Sequence, residues 1–288
     1  MKRILFTLLL PVVCGAGGFC LRRQQLLTGF ESTGLAVPGN LYAWLLIALS
    51  LVTAAACLLL CRQCRHVPQS YNEAFSSTGN AFYLFFVALA ALLLLASGAV
   101  GLWSFATQGG TWLELLQWCL CLAAAVCVIT VALGNFRYRG RRAEAGGRRE
   151  NSLALLVLPY TVCLWLVTAY QEVSADPVKL NYVYRILAII CILLATYYIA
   201  GFSFQRAAPK RCLTFSLLGV YLSIVALADA GSWSTRLLLL ASVLYLSHTA
   251  LVLMINVVLN VSGRAPEGLP DYEAAQAEQD AEEDPGQP

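Results

Sequence analysis

The uncharged stretch AFYLFFVALAALLLLASGAVGLWS, residues 81–104, decides the fold class of this chain. About 17–25 apolar helical residues cross a bilayer core of roughly 30 Å, so this stretch is long enough to span a membrane. Seven further stretches share its character. The eight predicted spans are Ile4–Leu21, Leu41–Cys61, Ala81–Ser104, Trp112–Gly134, Leu153–Tyr170, Val183–Phe204, Cys212–Ala230 and Leu237–Asn260. The sequence therefore predicts an all-α, polytopic membrane helical bundle whose first partner is the lipid bilayer.

The composition agrees with one membrane-embedded domain over residues 1–260. Hydrophobic residues make up 59% of the chain and charged residues 12%, which is far from the usage of soluble domains. The polar connections Arg22–Asn40, Arg62–Asn80 and Asn135–Asn151 are each too short to bury a core of their own. The tail 261–288 is rich in Asp and Glu and poor in large apolar residues, so we expect a disordered, acidic, cytoplasmic tail.

The distribution of Lys and Arg predicts the orientation, because cytoplasmic connections retain basic residues. With the N-terminus inside, fourteen of the nineteen basic residues are cytoplasmic. The five on the outer side are Arg22, Arg23, Lys179, Arg185 and Arg236. We therefore predict a multi-pass protein of the cell membrane with both termini in the cytoplasm. Arg22 and Arg23 are the local violation of this rule.

The first span has a second interpretation. Lys2-Arg3, the apolar run and the small residues Ala16, Gly17 and Gly18 resemble a secretory signal peptide. The run is longer than the usual signal core, and removal of this segment would leave seven helices in the same orientation. The two interpretations stay open from the sequence alone.

A weak internal repeat divides the chain into halves 1–135 and 152–260. Leu10-Pro11 corresponds to Leu158-Pro159, and the segment 101–104 corresponds to 231–234, in the same order along each half. Four helices per half would relate the copies by an axis along the membrane normal. The alternative is chance matching between two leucine-rich strings.

The candidate ligand-binding residues lie near the outer ends of the spans, except one. Ionisable groups at membrane depth are usually functional, and His248 is the only one predicted at the centre of a span. The others are Glu114, Glu172, Tyr184, Arg185, Asp229 and Arg236. One hypothesis is an outer-face pocket with aromatic walls, in which an arginine binds an acidic ligand or pairs with a carboxylate. The competing hypotheses are an ordinary aromatic belt, and for His248 a structural hydrogen bond between helices.

Motifs for catalysis, metals and cofactors are missing. Most of the eleven cysteines lie inside predicted spans, where they act as small apolar residues. Cys61 and Cys64 form the one C-x-x-C pair, without the further ligands of a zinc site. Phosphate-binding loops and hydrolase motifs do not occur. We therefore predict no catalytic residue, cofactor, metal site or nucleic-acid partner.

A basic connection between the fourth and fifth spans suggests contact with anionic lipid heads. Its arginines are Arg137, Arg139, Arg141, Arg142, Arg148 and Arg149. As a whole, the sequence favours a small-molecule permease or a membrane ligand sensor with an outer-face pocket. The alternative is a non-catalytic structural or complex-forming subunit with a membrane or cytoplasmic partner, and an intramembrane enzyme ranks third.

Overall fold

The structure is a computed structural model that describes residues 2–30, 37–62, 71–75, 77, 81–137, 147–174, 182–204, 206–229 and 231–259. These residues form helices and no strand, so the all-α prediction is confirmed. The helices are α1 (Lys2–Thr28), α2 (Leu41–Arg62), α3 (Tyr71–Phe75), α4 (Ala81–Gln108), α5 (Trp112–Arg137), α6 (Gly147–Ser174), α7 (Val183–Gly201), α8 (Pro209–Ala226) and α9 (Trp233–Leu259). A short 3-10 helix, Phe202–Phe204, follows α7 directly.

Seven of these helices, all the long ones except α8, are long and apolar enough to cross a membrane. Helix α8 corresponds to the predicted span over Cys212–Ala230, but it begins three residues earlier and ends at Ala226. It lies at the centre of the bundle, where it packs against α1, α2, α7 and α9. Most of its side chains are buried, including Leu217, Tyr221 and Val225.

Helix α1 approaches α8 closely through small residues. A methyl group at Gly18 would lie 2.7 Å from Cγ2 of Val225, and one at Gly15 would lie 3.1 Å from Cβ of Ile224. Glycines at such contacts let helix backbones pack closely inside membranes. A side chain at Gly18 would force Val225 to move, so the close packing of α1 on α8 depends on this glycine.

Local sequence signals set several helix ends. The side chain of Asn40 accepts hydrogen bonds from the backbone N–H groups of Tyr42 (2.9 Å) and Ala43 (3.2 Å), which caps α2. The hydroxyl of Ser232 caps α9 in the same way. Gly109 follows the last residue of α4 with a φ of +74°, a conformation that glycine adopts without strain. The predicted end of the first span at Leu21 was wrong, since α1 continues to Thr28 and takes in both arginines.

The bundle has two ends, which we name by a residue at each. The Arg22 end holds the C-termini of α1, α4, α6 and α8 and the N-termini of α2, α5, α7 and α9, and the Asn135 end is opposite. The two proposed halves of the chain are not separate bundles. Helix α1 packs on α8, α4 packs on α9, and α5 packs on α6. The internal repeat itself stays a prediction.

A short buried helix packs at the Asn135 end. Helix α3 lies within the connection that the sequence suggested was simply polar, and its Ala74 and Phe75 are fully buried. The amide of Asn256 on α9 donates to the carbonyl of Ala74 (2.8 Å), and Nδ2 of Asn135 lies 3.3 Å from the hydroxyl of Tyr71. Phe75 also packs edge-on against Phe202. These contacts pack α3 against α5, α9 and the 3-10 helix, and we call this short helix the plug.

Candidate functional site

A polar cavity of about 340 Å³ lies at the Arg22 end, among α4, α5, α6, α7 and α9. Three of the predicted binding residues, Glu114, Glu172 and Arg185, line it. The remaining lining residues are Gly101, Ser104, Phe105, Gln108, Gly109, Gln117, Trp118, Trp165, Thr168, Ala169, Ser232, Ser234 and Thr235. We call this space the polar cavity.

Arg185 is the main positive charge of the polar cavity. It stands in the first turn of α7 and is 8% exposed. Its Nη2 donates to Oε2 of Glu172 at 3.0 Å, and its Nε has no hydrogen-bond partner among the described residues. The Glu172 side chain is 68% exposed, so this ion pair is half solvated. The guanidinium is therefore held in place with donor capacity left over.

Glu114 is placed by the start of α5. The hydroxyl of Thr111 accepts a hydrogen bond from the Glu114 backbone N–H (3.4 Å) and donates one to Glu114 Oε1 (3.2 Å). Thr111 thus caps the start of α5, and its hydroxyl also contacts the carboxylate in the first turn of that helix. The partial positive charge at the helix N-terminus also stabilises a carboxylate there. Glu114 is therefore a fixed acceptor on the wall of the polar cavity.

Neutral polar and aromatic side chains form the inner wall. Gln117 on α5 is 2% exposed, and its Oε1 accepts a short hydrogen bond from the hydroxyl of Thr168 on α6. The ring of Trp118 lies directly over Gly101, where a β-carbon would come within 2.2 Å of it. Trp165 lines both the polar cavity and a small apolar pocket deeper in the bundle. No pattern in the sequence marks these residues, because each looks like an ordinary member of a membrane span.

A buried ion pair lies beside the cavity at the same end. Nε of Arg22 donates to Oδ1 of Asp229 at 2.7 Å, and the two residues are 1% and 8% exposed. The guanidinium of Arg22 also lies over the ring of Tyr184, 5.1 Å from its centroid. Burial raises the pKa of Asp229, while the guanidinium of Arg22 opposes that shift. Arg22 therefore departs from the preference of basic residues for the cytoplasmic side because it forms a buried ion pair with Asp229.

The structure separates the remaining candidates from the polar cavity. The guanidinium of Arg236 lies over the ring of Trp233, 5.3 Å from its centroid, and Arg236 does not line the cavity. His248 is half-buried deeper in α9, where Nδ1 lies 3.1 Å from the carbonyl of Leu244. Its ring stacks on Phe86 of α4 with the centroids 4.2 Å apart. Its partners are thus protein groups, and a functional role for it stays a prediction.

Other sequence predictions fall partly outside the described residues. Arg139, Arg141 and Arg142 of the basic connection and the whole tail 261–288 lie outside them. Within the part of the chain that the structure describes, no group of three or more His, Cys, Asp or Glu residues is placed to hold a metal ion. The cysteines described there are free thiols.

The fold and the cavity together define a multi-pass helical bundle of membrane type with a polar recess at its Arg22 end. No family model, curated protein or solved structure matches this chain. The function is therefore argued from the geometry alone.

Proposed function

We propose that this protein is a permease for a small polar solute, which binds in the polar cavity. The observation that carries the proposal is the cavity of about 340 Å³ with Arg185, Glu114 and Glu172 on its walls. Ligand sites are typically concave spaces of some 300–1,000 Å³, with mostly apolar walls and a few placed polar groups. Charged groups that meet in such a recess favour a ligand site over an aromatic belt.

The position of α3 at the Asn135 end supports a permease in preference to a sensor. Secondary transporters bind their substrate in a site that opens to one side while the other side is closed. Here the polar cavity stands at one end, and the buried helix α3 packs at the other end through its contacts with Asn135 and Asn256. Release toward the Asn135 end would then require α3 to move, which makes the plug the gate of this proposal.

We also propose an orientation of the bundle in the membrane. The basic residues that flank α3, α5 and α6 favour the cytoplasm for the Asn135 end. The polar cavity then faces outward, in a cell membrane with both chain termini inside. Anionic lipid heads at Arg137, Arg148 and Arg149 fit this orientation.

A transport assay with the purified protein in liposomes tests the function. Liposomes are loaded with the twenty L-amino acids, hexoses, dicarboxylates and choline, and mass spectrometry follows the solutes that are released. We expect at least one chemical class to leave roughly tenfold faster than from protein-free liposomes. In Ser104→Phe a ring projects into the cavity, so this release should fall to the protein-free rate.

Thr107→Phe is the matched control, because Thr107 is exposed, lies in the same last turn of α4 and does not line the cavity. This variant should release solute like the wild type. Equal release from the wild type and Ser104→Phe for every class would contradict the permease and leave the complex-forming subunit as the better account.

A further inference from the structure

We infer that the polar cavity recognises a zwitterion of amino-acid size, with one carboxylate and one ammonium group. This inference rests on the proposed function and names the substrate class of that site. Three features carry it, namely the donor capacity left on Arg185, the fixed carboxylate of Glu114, and the aromatic surface between the helices that hold them.

Arg185 provides the carboxylate-binding side. It is buried, and it makes one hydrogen bond with the described residues, to Glu172. Its Nε has almost no accessible surface, so the donors that a ligand in the cavity can reach are those of the two Nη groups. A guanidinium can bind a carboxylate through both Nη groups, and Nη2 is occupied by Glu172 alone among the described residues. Glu172 is mostly solvated, so a ligand carboxylate can replace it at a small loss.

Gln117 adds a neutral donor to the same site. The hydroxyl of Thr168 contacts one end of its amide, and a glutamine amide has two N–H donors as well as an acceptor. The residue is nearly fully buried and lines the cavity. A ligand oxygen therefore has both a charged and a neutral donor available.

Glu114 provides the ammonium-binding side. Its Oε1 accepts from Thr111, and a carboxylate has about four lone-pair sites, so acceptor capacity remains. Glu114 is on α5 and Arg185 is on α7, and each of these helices packs against α6. The opposite charges thus come from different helices that line one space.

The charge balance of the lining favours a zwitterion over a simple anion or cation. The described lining contains one guanidinium and two carboxylates, of which Glu172 already pairs with Arg185. A plain anion would gain Arg185 and face Glu114, and a plain cation would gain Glu114 and face Arg185. A zwitterion has a partner for each charge, and Trp118 and Trp165 offer apolar surface to the rest of the molecule.

Matched sets of three molecules test this inference by thermal unfolding of the full-length protein in detergent. Each set is an amino acid, the amine that lacks its carboxylate, and the acid that lacks its ammonium group, for example leucine, 3-methylbutylamine and 4-methylpentanoate. All twenty L-amino acids are used in turn. We expect at least one amino acid to raise the Tm, and its two counterparts to bind about 10- to 100-fold more weakly, as expected for loss of a charged hydrogen bond.

Two variants assign the charges to their residues. Glu114→Gln should remove the preference for the amino acid over the acid and keep the preference over the amine. Arg185→Gln should remove the preference for the amino acid over the amine and keep the preference over the acid. An amine or an acid that stabilises the protein as well as its parent amino acid overturns the zwitterion and leaves the permease intact. Absence of any stabilisation by the twenty amino acids also overturns the zwitterion, while the liposome assay with hexoses, dicarboxylates and choline still decides the permease.

Discussion

Asp229→Asn should lower the free energy of unfolding by about 3–5 kcal/mol, because it removes the carboxylate charge that the buried guanidinium of Arg22 contacts. The ion pair has an N–O distance of 2.7 Å, and Arg22 is 1% exposed. A guanidinium cannot lose its proton to relieve this burial. Thermal unfolding in detergent measures the loss, and we expect the same low Tm between pH 5 and pH 8.

Arg22→Met should destabilise the protein in a different way, since a carboxyl can neutralise itself. Burial already raises the pKa of Asp229, and loss of Arg22 removes the main opposing influence. For an acid whose folded-state pKa is raised, stability is fully present below the unfolded pKa and is lost as the pH rises through the folded value. The variant should therefore regain Tm when the pH falls from 8 to 5.

The double variant Arg22→Met with Asp229→Leu is the control for both. Replacing a buried ion pair by apolar side chains of similar size is often neutral, so its Tm should lie near that of the wild type. An Asp229→Asn protein as stable as the wild type would contradict the internal role of the pair. A pH-independent Tm for Arg22→Met would contradict the assignment of Asp229 as the group left unpaired.

Gly18→Val should displace α1 from α8 and lower the stability by about 1–3 kcal/mol, the usual range for an overpacked interface. The first added carbon would already lie 2.7 Å from Cγ2 of Val225, which is shorter than van der Waals contact. Gly17→Val is the matched control on the neighbouring residue, because no atom lies within 4 Å of the position of its β-carbon. Both changes have the same effect on intrinsic helix propensity. Equal Tm values for the two variants would show that α1 does not pack through Gly18.

The helices could be predicted from the sequence because each depends on local composition. The predicted spans at Leu41 and Trp112 begin where α2 and α5 begin, whereas α9 begins at Trp233, before the predicted start at Leu237. The first span was predicted to end at Leu21 because a charged residue such as Arg22 usually marks the end of a membrane span, whereas α1 continues to Thr28. The partner of Arg22, Asp229, is 207 residues away, and no local pattern indicates that pairing.

The candidate site could be predicted only in part. Glu114, Glu172 and Arg185 were found because charges at the ends of spans are conspicuous, and they do line one cavity. Gln117 and Trp165 were missed because their roles depend on which helices become neighbours. The plug was missed for a similar reason, since five residues of α3 are too few to show a helical period, and their burial depends on contacts with Asn256 and Phe202. The binding roles of all the candidate residues stay predictions.

Reporter fusions test the central claim most directly, namely that the polar cavity opens on the outer side of a cell membrane. Alkaline phosphatase is active only outside the cytoplasm of a bacterium, and green fluorescent protein exported there does not become fluorescent. A fusion after Ala175, in the connection at the Arg22 end, should give phosphatase activity. Fusions after Arg142 and Ala265 should give fluorescence and no phosphatase activity. Phosphatase activity after Arg142 would place the Asn135 end outside and contradict the account.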